Sequence, residues 1–251
     1  MAVDPKDKCN IYVSDGTNIY KTTDCSRTWD LVFTENRKGE RFVSIAIDNI
    51  NAQNIYAAEL NGDIITSRDE GKTWQTIKRF GFQLQQMEVD HKTAGRIYVA
   101  SYRRGLYRSD DGGKNWIALN EELKKIGNDT FTFYRLVLNN AQKDSLFWIS
   151  KYGILRSDNA GANWTDLKLL TPPGSTAIFA FDVNEKNPKE LYYTASQLGE
   201  KNVHIKSTFY KSSDGGVTWE TKKLPTNTLP VMIKINAKND NVLLMGFTTL
   251  N

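Results

Sequence analysis

The octapeptide SDDGGKNW at residues 109–116 holds the most obvious candidates for chemistry in this chain. Its adjacent acids, Asp110 and Asp111, precede two glycines and a tryptophan. Carboxylates beside a glycine-rich bend are typical of a metal-binding loop, of a catalytic carboxylate pair, or of a turn stabilised by its own side chains. The number of copies in the chain distinguishes these three interpretations.

Four further octapeptides share the pattern Ser/Thr-x-Asp/Asn-x-Gly/Ser-x-Thr/Asn-Trp. They are TTDCSRTW (22–29), SRDEGKTW (67–74), SDNAGANW (157–164) and SSDGGVTW (212–219). A catalytic group is needed once rather than five times, and an EF-hand-like calcium loop needs alternating oxygen ligands and a distant glutamate that these copies lack. The repetition therefore predicts a structural turn, with no metal and no cofactor.

Each residue of the octapeptide has a structural role in this interpretation. The third-position acid accepts hydrogen bonds from amides of its own turn, and the fifth-position glycine supplies a backbone conformation that is costly for other residues. The eighth-position tryptophan buries its ring against a neighbouring unit. The predicted structural residues are Asp24, Trp29, Asp69, Trp74, Asp111, Trp116, Asn159, Trp164, Asp214 and Trp219.

The segments around each octapeptide repeat as well, and they predict the elements that position it. Short apolar strands separated by Gly, Asn and Asp turns give four strands per unit, A to D, with the octapeptide at the C–D turn. Four-stranded units at intervals of about 40–50 residues indicate a β-propeller. We predict an all-β protein forming one propeller domain over residues 1–251. Its boxed repeats end near residues 33, 78, 120, 168 and 223, and a partial sixth unit covers 230–251.

The octapeptide resembles the Asp-box, or BNR repeat, of sialidases, sortilin-type receptors, xyloglucan-active glycosidases and the photosystem II assembly factor family. Ser26 replaces the usual glycine in the first box, and Asn159 replaces the usual aspartate in the fourth. The resemblance implies the fold and leaves the function open, because these families perform unrelated tasks. It also implies that the box turns lie on the face away from the ligand site, so that the D–A loops and B–C turns carry function.

The number of units favours a piece of a larger propeller, for example a seven-bladed one. The first unit lacks most of its strand A, and the sixth consists of strands A and B with no box behind them. A small ring closed by the two termini is the alternative, because propellers need closure to remove their sheet edges.

The predicted functional face is basic and contains aromatic residues. The candidate ligand-binding residues are Arg41, Arg79, Phe82, Tyr102, Arg103, Arg104, Tyr134, Lys151 and Tyr152. Arg37, Lys38, Phe80, Lys124, Lys125 and Lys201 join this basic rim, whose few acids are Glu35, Glu40, Glu59, Glu121 and Glu122. Arginine side chains that grip carboxylates predict an acidic protein segment or an anionic glycan as the partner. The alternative is a set of ordinary solvated loops.

A catalytic constellation is not recognisable in the sequence. The Arg-Ile-Pro motif and the arginine triad expected of a sialidase are absent, and no two acids are marked as a glycosidase pair. The only histidines, His91 and His204, are far apart, and no nucleophile motif or phosphate-binding loop is present.

Composition and cysteine usage limit the class of protein further. A net charge of +4 is too mild for a dedicated nucleic-acid binder. No apolar run is long enough for a membrane span, and the start MAVDPKDKCN lacks the apolar core of a signal peptide. Cys9 and Cys25 flank a predicted hairpin and either form a disulfide or remain free thiols. A disulfide would indicate an extracytoplasmic location, such as the periplasm, the cell surface or the secreted state.

Two functional hypotheses follow. The first is a non-catalytic, extracytoplasmic propeller that binds a protein, peptide or glycan through its basic, aromatic face. The second is a fragment or module of a carbohydrate-active glycoside hydrolase of the sialidase or xyloglucanase kind.

Overall fold

A computed structural model of the chain describes residues 1–200, 203–224 and 228–249. It contains two compact units, Met1–Asn120 and Glu121–Asn251. The predicted rim residue Lys201, part of the last D–A loop (225–227) and residues 250–251 lie outside the described residues.

The first unit consists of three four-stranded antiparallel sheets, each formed by consecutive strands in chain order. The first sheet contains β1 (Ala2–Val3), β2 (Ile11–Ser14), β3 (Asn18–Thr22) and β4 (Asp30–Thr34). The second contains β5 (Phe42–Ile47), β6 (Ile55–Glu59), β7 (Asp63–Ser67) and β8 (Gln75–Arg79), and the third contains β9 (Gln86–Val89), β10 (Ile97–Ser101), β11 (Gly105–Ser109) and β12 (Ile117–Ala118).

The second unit repeats this arrangement in two four-stranded sheets and one two-stranded sheet. Helix α1 (Asn120–Ile126) and a short 3₁₀ helix (Asn128–Phe131) precede its strands. The fourth sheet contains β13 (Phe133–Leu138), β14 (Leu146–Ser150), β15 (Ile154–Ser157) and β16 (Thr165–Asp166). The fifth contains β17 (Ala177–Val183), β18 (Leu191–Leu198), β19 (His204–Ser212) and β20 (Glu220–Lys223), and the last pair is β21 (Leu229–Ile235) and β22 (Leu243–Thr248).

Burial decreases from the second strand of a sheet to its fourth. Strands β6, β10 and β14 are buried along their whole length, whereas β20 is exposed along its whole length. The buried strands read as apolar runs because a central strand is covered on both faces, and the outer strand faces water on one side. The proportion of polar residues in a strand therefore indicates whether the strand is central or at the outer edge of its sheet.

The apolar cores lie between consecutive sheets of a unit. In unit 1, Tyr12 and Ile19 of the first sheet pack with Ile45 and Ile65 of the second. In unit 2, Phe147 of the fourth sheet lies 4.8 Å from Phe181 of the fifth, measured between ring centroids. Within each unit, consecutive sheets thus bury apolar faces against one another, as blades do.

The structure confirms the predicted fold class. Each boxed unit has four strands with the octapeptide between the third and fourth, and the first strand, Ala2–Val3, is as short as predicted. The segment predicted to be helical forms α1, and the partial sixth unit forms the two-stranded sheet.

The two cysteines are joined across the first hairpin. Ile11 pairs with Thr22 in the β2–β3 ladder, which places Cys9 beside the start of the first octapeptide. The Cα atoms of Cys9 and Cys25 are 4.0 Å apart, and the residues form a disulfide.

Candidate ligand-binding surface

The octapeptide of residues 109–116 forms a turn that uses its own polar groups. The Asp111 carboxylate accepts hydrogen bonds from the Ser109 hydroxyl at 2.9 Å and from the Asn115 backbone N–H at 2.9 Å. The Ser109 hydroxyl in turn accepts the Gly113 N–H at 2.9 Å. The N–H groups of Asn115 hold the pKa of Asp111 at about 2, well below its usual range. The carboxylate is occupied as an acceptor within the turn and is not available as a catalytic base.

The other four octapeptides share this network. Backbone N–H groups of the seventh position donate to the third-position side chain at 2.8–2.9 Å in every copy, including Asn159, which accepts from Asn163. Hydrogen bonds from the seventh-position threonine, led by the backbone N–H of Thr28 and by the hydroxyl of Thr73, hold the pKa values of Asp24 and Asp69 at about 2, and the Thr218 hydroxyl lowers the pKa of Asp214.

The fourth and fifth positions of the turn both have a left-handed backbone conformation, whereas the sequence predicted a special conformation only at the fifth-position glycine. The fifth position has φ of 90° at Gly113 and 70° at Ser26, and the fourth has φ of 60° at Glu70 and 58° at Ala160. A side chain in this region is strained, so the hydrogen-bond network must hold it there. Because non-glycine residues occupy the fourth position in three copies, the sequence did not reveal its conformation.

The fifth-position glycine also has a packing role. A Cβ atom at Gly113 would lie 2.4 Å from Ile77 Cδ1, and one at Gly216 would lie 3.0 Å from Leu167. Both neighbours follow the fourth-strand tryptophan of the preceding sheet by three residues. An aliphatic residue three positions after the box tryptophan, as in Trp74–Ile77 and Trp164–Leu167, is the sequence pattern from which this contact could have been predicted.

Four of the five box tryptophans are half-buried rather than buried, which corrects the prediction that the eighth-position tryptophan buries its ring. Trp116 lies with its ring 5.1 Å from Phe80 of the preceding sheet and donates its indole N–H to Gly113 O at 2.9 Å. Trp74 makes the same bond to its own box, to Gly71 O at 3.0 Å. Trp29, in the first sheet, is 38% exposed.

The neighbouring acid, Asp110, forms ion pairs with two arginines. Asp110 occupies the variable second position, yet it accepts from Arg96 Nε at 2.7 Å and from Arg108 Nη2 at 2.9 Å. It therefore joins the third sheet's A–B turn to its strand β11.

The predicted rim contains a carboxylate cluster that neutralises one of its arginines. Arg37 binds Glu35 through Nε and Nη2, each at 3.0 Å, and Asp63 through Nη1 at 2.8 Å. It also binds Glu59. Arg79 reaches the same Asp63 carboxylate at 3.3 Å. Arg37 is therefore a structural cation, contrary to its predicted place in a free basic rim.

Glu59 is the central residue of this cluster. Its side chain is fully buried, and Oε1 has no hydrogen-bond partner among the described residues. Burial, followed by the hydrogen bond with Glu35, raises the pKa of Glu59 to about 8. Arg37 has the opposite effect on Glu35 and holds its pKa at about 2. Glu59 is thus the acid of this cluster that is most easily protonated.

The B–C turn of the third sheet presents two arginines that have no acidic partner. Ser101 pairs with Gly105, so Tyr102, Arg103 and Arg104 form a three-residue hairpin loop in which Arg103 has φ of 64°. All three are exposed. Within the described part of the chain, no ion pair holds either guanidinium.

Aromatic rings lie beneath these two arginines. The Arg103 guanidinium lies 5.2 Å from the Tyr102 ring centroid, and that of Arg104 lies 5.9 Å from the Phe82 centroid. Phe82 belongs to a group of touching rings with Phe80 at 5.3 Å and Tyr107 at 5.4 Å. The rings restrict the arginine side chains and leave their N–H donors toward solvent.

Hydrogen bonds to backbone carbonyl groups join the neighbouring loops into one surface. Leu60 N donates to Arg41 O at 2.8 Å, Leu84 N donates to Leu60 O at 2.8 Å, and Ser101 Oγ donates to Gln83 O at 2.6 Å. We call Arg41, Phe82, Tyr102, Arg103 and Arg104 the arginine surface.

The remaining predicted ligand residues belong to unit 2. Lys151 forms an ion pair with Asp129 at 3.1 Å, and Tyr134 packs against Phe179 with centroids 5.3 Å apart. Tyr152 lies in an open groove of about 450 Å³ beside Asp166 and Leu170. The helix lysines are paired as well, Lys124 with Glu121 and Lys125 with Glu122.

The described residues contain neither a cluster of metal ligands nor a membrane-spanning helix. Among residues 1–200, 203–224 and 228–249, no three His, Cys, Asp or Glu side chains are grouped so as to hold a metal ion. In the same ranges no helix has the length and hydrophobicity needed to cross a membrane.

The meander sheets and box turns define an all-β protein of the β-propeller class, and comparison with known proteins specifies the family. The model of the Sortilin-Vps10 family, described as "Sortilin, neurotensin receptor 3", matches residues 104–246, more than half of the chain. The chain belongs to the Sortilin-Vps10 family. No curated protein sequence matches the chain.

Solved structures with the same fold include enzymes. The chain is similar to the GH74 enzyme of Niastella koreensis, with a TM-score of 0.73 and 19% identity over 97% of this chain and 43% of the enzyme. It is similar to the GH74 xyloglucanase of Xanthomonas campestris, with a TM-score of 0.72 and 17% identity over 98% of this chain and 43% of the enzyme. It thus spans less than half the length of these enzymes.

A propeller of similar length is YCF48 from Cyanidioschyzon merolae. Its TM-score is 0.57 at 15% identity, and the match covers 97% of this chain and 90% of YCF48. At these identities the likenesses to solved structures show the fold alone.

Proposed function

We propose that this chain is a non-catalytic β-propeller module that binds an acidic protein segment or peptide through the arginine surface. The observation that carries the proposal is the pair Arg103 and Arg104, which are exposed, lie beside aromatic rings and have no acidic partner among the described residues. In the same unit, Arg37 is already occupied by three carboxylates.

The geometry around the two arginines favours binding of carboxylates. A guanidinium beside a ring keeps its in-plane N–H donors, which match the two oxygens of a carboxylate. Asn120 fixes the turn, because its Nδ2 donates to Arg104 O at 2.9 Å and its Oδ1 accepts Leu106 N at 2.9 Å. A turn fixed before binding loses less conformational entropy when it binds.

We propose an extracytoplasmic location and a single propeller domain over residues 1–251. The disulfide between Cys9 and Cys25 supports the location, since such bonds persist in oxidising compartments. The shared strand order and box turn of both units support the single domain.

Binding of an acidic peptide before and after charge reversal tests the proposal. A fluorescein-labelled (Glu-Ser)₄ peptide should bind the native chain, and binding should weaken as salt rises from about 0.05 to 0.5 M because these charges are solvent-exposed. Arg103→Glu/Arg104→Glu should weaken binding by at least about tenfold. Fluorescence anisotropy measures both effects.

The matched control reverses two exposed lysines of the box turns. Lys72→Glu/Lys114→Glu changes the net charge by the same amount, but these residues lie where strand C ends, at the opposite end of their sheets from the B–C turns. Equal weakening by both double variants would show that only net charge matters and would refute the arginine surface. Binding of the uncharged (Gln-Ser)₄ peptide with equal strength would refute it too.

The alternative hypothesis, a module of a glycoside hydrolase, requires two carboxylates that face a substrate. Glu35, Glu59 and Asp63 all bind Arg37, and Glu59 is fully buried. This cluster is therefore a structural ion-pair network rather than a pair of carboxylates facing a substrate. Release of reducing sugar from xyloglucan by the purified chain, with loss of that release in Asp63→Asn, would replace the binding proposal with the enzymatic one.

A further inference from the structure

The A–B turn of each boxed sheet is closed by the same backbone hydrogen bond. The bond runs from the N–H of the first turn residue to the C=O of the seventh, as from Asp4 to Asn10 at 2.9 Å and from Asp90 to Arg96 at 2.9 Å. The other copies run from Asp48 to Asn54, from Asn139 to Ser145 and from Asn184 to Glu190. This recurrence aligns the turns, so that Cys9 is the sixth residue of the first turn.

In four of these sheets a second backbone hydrogen bond ties the A–B turn to the box. The N–H of the fourth box position donates to the C=O of the sixth turn residue, as from Gly112 to Gly95 at 2.8 Å. The equivalents are Glu70 to Gln53 at 3.1 Å, Ala160 to Asp144 at 2.7 Å and Gly215 to Lys189 at 2.8 Å. This bond holds the turn between strands A and B against the turn between strands C and D.

The first sheet has its two cysteines at these two positions. Cys25 is the fourth residue of its box, Cys9 is the sixth residue of its turn, and the disulfide joins them. Within the part of the chain that the structure describes, no backbone hydrogen bond links the two residues. The first sheet therefore has a covalent, reducible bond where the other boxed sheets have a hydrogen bond.

Strand β1 is held weakly by its own ladder. It has two residues, which pair with Tyr12 and Ile11, whereas β5 and β13 have six residues each. A strand with fewer ladder pairs opens locally at a smaller free-energy cost. The disulfide therefore contributes a larger share of what keeps this strand and its turn in place. We call residues 2–10 the latch segment.

Two further contacts hold the latch segment to the second sheet. Ala2 packs against the apolar core that contains Tyr12 and Ile45. Lys6 Nζ makes an exposed hydrogen bond with Ile50 O at 3.3 Å. Opening of the segment thus removes a small apolar contact and an exposed polar one, and it leaves the β2–β3–β4 ladders intact.

We propose that Cys9 and Cys25 form a redox-dependent latch. In the oxidised chain the disulfide holds the latch segment on the first sheet. When a dithiol reduces the bond, the segment opens while the other sheets of unit 1 stay folded. This inference is independent of the acidic-peptide binding proposed above.

Opening of the latch is a thiol–disulfide exchange. Cys25 is exposed and Cys9 is half-buried, so a thiolate of the dithiol attacks Cys25 Sγ and forms a mixed disulfide. Cys9 leaves as a thiolate and takes up a proton. The second thiolate of the dithiol then closes its own disulfide and releases Cys25, which is protonated in turn. Two electrons pass from the dithiol to the cysteine pair.

Hydrogen exchange of the full chain, with and without dithiothreitol, tests the latch. Residues 2–12 are compared with residues 88–98, which are the equivalent strand A, turn and start of strand B in the third sheet. Reduction should raise the ratio of the exchange rate at 2–12 to that at 88–98 by at least about tenfold. An unchanged ratio would overturn the proposal, since reduction would then act on both sheets alike or on neither.

Proteolysis of a cysteine-free variant supplies a second measurement and an internal control. Lys6 and Lys92 are both the third residue of their A–B turn. In Cys9→Ser/Cys25→Ser, tryptic cleavage after Lys6 or Lys8, relative to cleavage after Lys92, should be at least about tenfold faster than in the oxidised native chain. Dithiothreitol should not change the exchange ratio of this variant. Equal acceleration after Lys92 would show general destabilisation and would refute a local latch.

Discussion

At the scale of single residues, the partners of a side chain decide its role more than its type does. Arg37, in the loop between β4 and β5, and Arg103, in the turn between β10 and β11, both belong to the predicted basic rim. Three carboxylates bind Arg37, whereas Arg103 lies beside the Tyr102 ring with no acidic partner in the described ranges. Only the second arrangement leaves donors for a ligand.

The buried acid of the Arg37 cluster predicts a pH-dependent stability. Glu59 has a pKa of about 8 in the folded chain against an ordinary value of 4.5, so between these values the folded state keeps a proton that the unfolded chain has released. Its contribution is fully present below about pH 4.5 and is lost as pH rises through about 8. The loss is at most about 1.4 kcal/mol per pH unit.

Glu59→Gln should therefore flatten the dependence of the unfolding free energy on pH between about 5 and 8. Urea unfolding followed by circular dichroism at several pH values measures this slope. Glu121→Gln is the control: Lys124 lowers the pKa of Glu121, which is thus ionised throughout this range. Identical slopes for the native chain and Glu59→Gln would contradict the prediction.

At the scale of elements, the sequence predicted the hydrogen bonds of the box turn but only part of its backbone conformation. The spacing of Ser/Thr, Asp/Asn and Trp predicted the hydrogen-bonded turn, because each of these residues acts within eight positions. The left-handed fourth position was not predictable, because Cys25, Glu70 and Ala160 occupy it without the usual glycine signature.

Gly113→Ala should destabilise the chain by about 1–3 kcal/mol, because the new Cβ combines a left-handed backbone with a close contact to Ile77. Gly39→Ala is the matched control, since Gly39 has φ of 79° and open space around its Cβ position. Its smaller loss measures the backbone cost alone.

Ile77→Val should recover part of the loss in the Gly113→Ala background, because valine lacks the Cδ1 atom that the new Cβ would meet. Chemical denaturation of Gly113→Ala, Gly39→Ala, Ile77→Val and the Gly113→Ala/Ile77→Val double variant measures these differences. Equal losses in Gly113→Ala and Gly39→Ala would show that the contact with Ile77 contributes nothing.

The first hairpin supplies a second prediction at this scale. The disulfide closes a loop between residues 16 positions apart, so Cys9→Ser/Cys25→Ser should lower the unfolding free energy by about 3 kcal/mol. Adding a reductant to the native chain should produce a similar decrease and should have no effect on the double variant. A reductant effect in the double variant would mean that the disulfide is not its cause.

At the scale of the whole molecule, the fold could be predicted because the octapeptide repeats along the chain. The residues of the candidate ligand-binding surface do not repeat, so their contacts could not be predicted in this way. Strand order and blade identity follow from a pattern that recurs five times. The Arg37 cluster depends on a single set of contacts between residues 35, 37, 59 and 63, which one loop and two strands bring together. A set of contacts that occurs once cannot be recognised by comparing repeats of the same chain. Only the structure therefore shows which rim arginines form ion pairs with acidic residues.

The proposed single domain predicts one cooperative unfolding transition. Gly113→Ala in unit 1 and Gly216→Ala in unit 2 alter equivalent box positions, and each would bring a Cβ within 3.0 Å of a side chain of the preceding sheet. In differential scanning calorimetry, each variant should move the same single transition. Two transitions, each moved by only one variant, would assign the units to separate domains.

The unequal exposure of the tryptophans gives the molecule built-in optical reporters. Trp148 is fully buried and donates its indole N–H to Thr130 O at 2.8 Å in unit 2, whereas Trp29 is 38% exposed in unit 1. Iodide should quench the red-shifted emission of Trp29 and spare the blue-shifted emission of Trp148. A Trp29→Phe variant should therefore reduce the quenchable fraction of the emission, and the rest of that emission comes from the buried Trp148 and the four half-buried box tryptophans.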